Sequence, residues 1–172
     1  MKAYIFKTNK KNYFLKIIYC SIDIKDIENY LKRIESIEKS LELETNLIVI
    51  PNYKIYSLEQ LKWAIFIAKN RFLDKISISK NLWNETILTL CATDQINKIS
   101  EKWYLQNGIN KDSFLIILSR NEISLKEIND IKNKLEVIEN KTNEIKFNTK
   151  ETLKLHGITE PNAEDKIIEK MS

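Results

Sequence analysis

Glycine, histidine, proline and cysteine are nearly missing from this chain. Its 172 residues include two glycines, two prolines, two cysteines and one histidine. The glycine shortage excludes the most. A phosphate-cradling loop needs several glycines close together, because its backbone must approach the phosphate and take positive φ. Gly108 and Gly157 are far apart, which rules against Walker-type, dinucleotide-fold and kinase-type nucleotide sites. One histidine, His156, and two distant cysteines give no zinc spacing. Nothing in their spacing sets up a Cys–His nucleophile pair either. Cys20 and Cys91 sit among apolar residues, which reads as reduced, buried, inert thiols in a cytosolic protein. No apolar run approaches the roughly 20 residues of a membrane span. Met1–Tyr19 alternates apolar residues with lysines and lacks a small-residue cleavage site, so it reads as mature structure and not as a signal peptide.

What is there is an ordinary globular balance, 43% hydrophobic and 30% charged, in a chain long enough to bury a proper core. The net charge of +4 is mildly basic. Much of it is local. Between Lys54 and Lys80 six basic residues face two acids, an excess as large as that of the whole chain.

The hydrophobic pattern predicts strands at Ala3–Lys7 and Tyr13–Cys20 around a polar turn. Asp23 offers a cap for an amphipathic helix carrying Ile24, Ile27, Leu31, Ile34 and Ile37. Leu47–Ile50 is short, wholly apolar and stopped by Pro51, the pattern of a buried central strand. Ser57 and Gln60 form a capping box opening a helix to about Asn70, with Leu61, Ala64, Ile65, Ala68 and Phe72 as its buried stripe. Ser79 is placed to cap a third helix carrying Leu82, Trp83, Thr86, Ile87 and Leu90. Thr93 is placed to cap a fourth, carrying Ile96, Ile99 and Trp103 and ending at Gly108. Phe114–Leu118 reads as a second buried strand. Ser124 and Glu127 form another capping box, with Ile123 and Ile128 as its hydrophobic staple. Leu135–Glu139 and Glu144–Asn148 are spaced to pair with each other. Thr149 then caps a short helix, and a last helix follows Pro161, with Thr159–Glu164 as the flexible joint. Gly108 and Gly157, each followed by isoleucine, read as left-handed helix caps, and His156 beside the second suits a helix C-terminus. No internal repeat, low-complexity tract or linker stands out. The expected architecture is a single α/β domain over residues 1–172, a small mixed β-sheet with a central helical block.

Most carboxylates alternate with lysines on helix faces, as Glu35 does with Lys39, and read as solvated surface. Glu85 sits within an otherwise apolar helix. It reads either as an exposed residue on the polar stripe or as an anchor that hydrogen-bonds a neighbouring helix start or a partner. Trp63, Trp83 and Trp103 all fall in the helical block, where tryptophan serves packing or an interface; Trp63 lies off the main apolar stripe. Lys62, Lys69, Arg71, Lys75 and Lys80 cluster in the same block. They read either as a solvated face or as a phosphate-contacting patch beside aromatic surface, which suits single-stranded RNA better than duplex.

Several of these segments resemble one family. Ser57-Leu58-Glu59-Gln60-Leu61-Lys62-Trp63-Ala64, then Ala68, then Ile78-Ser79-Lys80-Asn81-Leu82-Trp83-Asn84-Glu85-Thr86-Ile87-Leu88, Gln95-Ile96 and Gly108-Ile109 are similar in order and spacing to the TPRKB-like (CGI-type, PRPK-binding) family. That family is the kinase-binding subunit of the KEOPS/EKC complex. The resemblance covers about a third of the chain. It implies an α/β fold without catalytic activity or cofactor, docked on the small kinase-like ATPase subunit and indirectly on the catalytic threonylcarbamoyl-transferase subunit. It also implies help in recruiting tRNA by its single-stranded 3′ end, for modification of the adenosine next to the anticodon, with no membrane role. Two positions depart from the pattern: Gln60 stands where the family often has histidine, and Asp94 where an arginine often precedes the Gln-Ile pair. The family's final helix is usually longer than Ala163–Ser172.

Three readings follow. In the first, Lys62, Lys69, Arg71, Lys75 and Lys80 contact tRNA, and the surface near Trp83, Glu85 and Trp103 meets the kinase-like partner. In the second, the chain is a pure protein–protein adaptor that never touches RNA. In the third, it is a small hydrolase acting through a carboxylate such as Glu85.

Overall fold

The computed structural model of the chain describes residues 1–8, 11–41, 44–52, 55–95, 97, 99, 103–141, 145, 147, 150, 153 and 163–171. The fold is α/β, five strands and five helices among these residues. By its internal contacts the chain divides into two compact units, one comprising Met1–Pro51 with Tyr104–Ile145 and the other Asn52–Trp103 with Lys146–Ser172.

The first unit holds the sheet. Strand β1 (Lys2–Lys7) pairs with β2 (Asn12–Ile24), as the alternating N-terminus predicts. Helix α1 spans Ile27–Ser40. Strand β3 is Asn46–Pro51 and β4 is Gly108–Ser119. Helix α4 is Leu125–Lys134 and β5 is Val137–Glu139; α2 and α3 lie in the other unit. The sheet runs β1-β2-β4-β3, with β5 also paired to β2. Every pairing is antiparallel, where strands of both directions were expected. The long β2 explains the layout. Its residues 14–24 meet β4 along one edge, and β1 and β5 share the other, opposite residues 12–17 and 20–22. A bulge in β4 sets Lys111 and Asp112 against the single residue Ser21. Asp112 takes φ +55° there, and its carboxylate accepts a hydrogen bond from the Tyr19 hydroxyl.

Leu47–Ile50 is buried on both faces, as its apolar run predicts, yet β3 is an edge strand and not a central one. Part of that edge is tied down from α1, where Glu38 Oε1 accepts from Leu47 N at 2.6 Å. The helix buries Tyr30, Ile34 and Ile37. Its N-cap is Asp26, which accepts from Asn29 N at 3.1 Å, and not Asp23, which β2 absorbs. The expected capping box on α4 is complete in both directions, and the staple residues Ile123 and Ile128 are both buried. Strand β5 pairs with β2; of its expected partner 144–148, Glu144, Lys146 and Asn148 lie outside the described residues.

The second unit is helical. Helix α2 (Leu58–Leu73) packs against α3 (Leu82–Leu90) and against α5 (Ala163–Met171). Leu61, Ala64, Ile65 and Ala68 of α2 are fully enclosed, as the small-residue spacing predicts. Ser57 caps α2 from its own side chain, but Gln60 reaches back to Tyr56 N and not to the cap residue. Asn81, not Ser79, caps α3. Two threonines are tolerated inside α3 because Thr86 and Thr89 donate to the carbonyls of Leu82 and Glu85 at 2.8 Å. The fourth helix expected up to Gly108 does not reach it. Residues 104–107 are not helical, and Gly108 opens β4 at φ +95°. Ile96, Thr149, His156, Gly157 and Pro161 lie outside the described residues, as does 159–162 of the expected joint; Ala163 and Glu164 begin α5.

Three helices end on a residue in left-handed conformation: Lys75 (φ 60°), Ala92 (φ 48°) and Glu136 (φ 54°). Glycine normally takes this position. After α2, Ile76 N donates to Arg71 O at 3.0 Å and Lys75 N to Phe72 O at 3.2 Å. Together these bonds make a complete Schellman motif closed without glycine.

Candidate binding surface

The α2–α3 connection is organised by Glu85. This side chain is 0% exposed, which overturns its reading as a polar-stripe residue. Its Oε2 accepts from Ile78 N at 3.0 Å and from Ser79 N at 2.8 Å, and its Oε1 faces Arg71 Nη1 at 3.5 Å. The carboxylate therefore reaches back from the first turn of α3 to tie down the loop that precedes the Asn81 cap. A buried carboxylate is tolerable only when its oxygens are bonded and its charge is paired, and both conditions hold. The anchor reading is correct in kind, but the partner is the chain's own loop. Enclosed and occupied in this way, Glu85 can meet neither a partner protein nor a substrate, which removes the candidate acid of the hydrolase reading. Trp103, also expected with Trp83 at a partner interface, is 2% exposed and belongs to the interior. The physical reason is the same for both: a large apolar ring, or a carboxylate with three donors, gains more from enclosure than from water.

Trp83 is half-buried, and its indole Nε1 is enclosed without an acceptor among the described residues. Trp63 is the exposed one, at 39%, and its ring meets Phe66 edge-on with centroids 5.3 Å apart. The i, i+3 spacing of these two rings was visible in the sequence; that they share the outer side of α2 was not.

The five candidate cations separate. Lys62 is paired to Glu59 at 2.5 Å. Lys69 is 9% exposed and counts as enclosed. Arg71 is committed to Glu85. Lys75 and Lys80 are exposed, and neither joins an ion pair among the described residues. The single patch expected from the charge count is therefore two exposed cations beyond the C-terminal end of α2, which itself runs about 15 Å past Trp63 at 1.5 Å per residue.

Between those lysines lie two residues that sequence reasoning missed. Ile76 is 68% exposed and Ile78 is 47% exposed. In a Schellman motif the residue after the left-handed position usually packs against the residue three before the helix end. Here that inner residue is Arg71, already held by Glu85, so Ile76 has no apolar seat. The signal was present as two isoleucines in the turn Asp74–Lys80 between capped helices.

Gln60 is fully enclosed. Its Oε1 accepts from Tyr56 N at 2.6 Å, while its Nε2 has no acceptor among the described residues. Asp94 is exposed. Burial pushes the Cys20 thiol up to about 12, which leaves it no thiolate at neutral pH. Among the described residues, no group of three histidine, cysteine, aspartate or glutamate side chains could hold a metal ion, and no helix is long and apolar enough to cross a membrane. In the comparisons with known proteins, no family model matches the chain and no curated protein matches it.

Proposed function

We propose that the chain is a non-catalytic binding subunit of a KEOPS-type tRNA-modifying complex, docking the small kinase-like ATPase subunit and helping to recruit tRNA by its 3′ end. The observation that carries this reading is the Glu85 clasp. It joins the segments that resemble the family, 57–68 and 78–88, into one helix pair whose connecting loop is tied down by its amides while Lys75, Ile76, Ile78 and Lys80 stay exposed. A residue spent on presenting a loop suits a protein whose work is recognition. Trp63 adds an exposed ring of the kind on which single-stranded bases stack.

The test is co-purification with the kinase-like subunit, followed by a gel shift using tRNA with and without its 3′ tail. A stable protein complex and retention that depends on the tail are expected. A chain that neither pairs with the kinase-like subunit nor shifts tRNA contradicts the proposal.

The adaptor reading, binding the kinase-like subunit without RNA, is favoured by one specific finding: Lys62, Lys69 and Arg71 are paired or enclosed. Each phosphate neutralised on a single strand contributes about −0.7 to the slope of log K against log salt. Two exposed lysines give a slope of about −1.4, where five would give about −3.5. A tRNA shift that weakens in a Trp63→Ala protein, with a salt slope no steeper than the smaller value, supports direct RNA contact at that exposed ring. Absence of any shift at low salt, with kinase binding intact, leaves the adaptor.

A further inference from the structure

We infer that the loop between α2 and α3 is the docking surface for the kinase-like partner, and that it fits an apolar pocket rimmed by carboxylates on that protein. The inference rests on the binding reading above and assigns it residues that the sequence did not.

Three features converge on this loop. The first is unpartnered apolar surface: Ile76 and Ile78 are 68% and 47% exposed and lie within three positions of one another. Two β-branched side chains in one short turn, both in water, lose their hydration cost only when something covers them. The second is charge. Lys75 and Lys80 flank the two isoleucines and are exposed, whereas the acids nearby are either single, as Asp74, or buried, as Glu85. The complement of such a surface is an apolar pocket with an acidic rim. The third is rigidity. The loop is closed at its start by the Schellman bonds to Arg71 O and Phe72 O, and at its end by Glu85 Oε2 on the amides of Ile78 and Ser79. A loop fixed before binding does not lose its freedom on docking.

The same features disfavour RNA as the occupant. Bases stack on aromatic faces, and isoleucine offers none. The exposed aromatic ring, Trp63, stands at the other end of α2. On this arrangement the two ends of the helix serve different partners, the loop end taking protein.

The test uses the full chain and the purified kinase-like subunit, with binding measured by calorimetry across a salt series. An I76S/I78S protein should bind about tenfold more weakly or worse, since an apolar anchor at an interface centre carries a large share of the affinity. Its thermal midpoint should fall only slightly, because Ile76 is mostly exposed and Ile78 about half exposed in the folded chain, and the single variant Ile76→Ser should weaken binding with the midpoint unchanged. A K75Q/K80Q protein should bind more weakly at low salt and converge with wild type at high salt. Ile5→Ser, at an isoleucine 70% exposed on β1, should bind as wild type does. If I76S/I78S binds the subunit as tightly as wild type, or loses tRNA retention in place of protein binding, the loop is not this docking surface although the function proposed above still stands. If the wild-type chain does not bind the subunit at all, both fall together.

Discussion

Arg71 Nη1 stands 3.5 Å from Glu85 Oε1, one residue on α2 and the other fourteen positions later on α3. The arginine is part-exposed and the carboxylate is sealed. The pair closes the loop from beneath, and the carboxylate's other oxygen holds the amides of Ile78 and Ser79. Glu85→Ala strands two amides and a guanidinium at once. Removing one partner of a buried charged pair costs about 3 kcal/mol or more. Glu85→Gln keeps a carbonyl oxygen for one amide and should cost about half as much, since a hydrogen bond to a charged group is worth about 1.5–3 kcal/mol. Urea unfolding measures both. An alanine variant within about 0.5 kcal/mol of wild type, the range of an ordinary surface change, would mean that the clasp contributes nothing.

Lys75, Ala92 and Glu136 end three helices at positive φ. A left-handed residue with a Cβ costs about 1–2 kcal/mol, and glycine returns part of that gain through its freer unfolded state. Each of Lys75→Gly, Ala92→Gly and Glu136→Gly should therefore stabilise the protein, by about 0.5–1 kcal/mol. The converse holds at Gly108. Nothing lies within 4 Å of a Cβ built there, so Gly108→Ala meets no clash, but φ +95° strains it by about 1–3 kcal/mol. Thermal midpoints moving in the opposite directions would show that these residues are not held left-handed in solution.

Glu38 lies against β3 with its carboxylate on Leu47 N. Burial raises its pKa above the usual carboxylate value, and the Leu47 amide opposes the shift only in part. A carboxyl whose folded value is raised favours folding while protonated. Its contribution is present below the unfolded value and is lost as pH rises through the folded one. Glu38→Gln keeps an acceptor for Leu47 without the charge. It should gain on wild type at neutral pH and lose that advantage as the pH falls through the raised value of Glu38 toward the unfolded carboxylate value near 4. Parallel stability curves for the two proteins from pH 3 to 7 would contradict this.

Tyr13 is enclosed, and its hydroxyl donates to Glu44 Oε2 at 3.3 Å with the Arg120 guanidinium 5.6 Å over its ring. Burial first, and then the Glu44 carboxylate, push its pKa up to about 12. Its contribution to stability is whole below the unfolded tyrosine value near 10 and lost as pH rises through about 12. Ultraviolet titration should show two phenols ionising late, because burial also raises Tyr30; one of the two should be lost in Tyr13→Phe and shifted earlier in Glu44→Gln. A Tyr13→Phe protein with an unchanged alkaline limb would place that phenol in water.

Local grammar was legible from residue order alone. The caps at Ser57 and Ser124 needed only a hydroxyl followed three positions later by a long polar side chain, so α2 and α4 were found with their starts, although the box is reciprocal in α4 and in α2 Gln60 holds Tyr56 N. Short apolar and aromatic runs broken by lysines, on either side of a polar turn, found β1 and the first part of β2. Each of these depends on neighbours within one or two turns, and such terms are fixed before the chain folds. Residue order misplaced the caps at Asp23 and Ser79 because Asp26 and Asn81 are as well suited, and the choice depends on where β2 ends and where Glu85 reaches.

The composition determined what this protein cannot carry, and it forced three helix ends onto residues other than glycine, because only two glycines exist to share. Tertiary structure alone decided the candidate surface. Whether a charged side chain faces water depends on which helix lies across it. Packing α3 on α2 buried Glu85, drew in Arg71 and left Ile76 and Ile78 outside. Tertiary structure likewise made β3 an edge and brought Tyr104–Ile145 back to the sheet begun by Met1–Pro51, because strand pairing joins residues that are distant along the chain and carry no mark of one another.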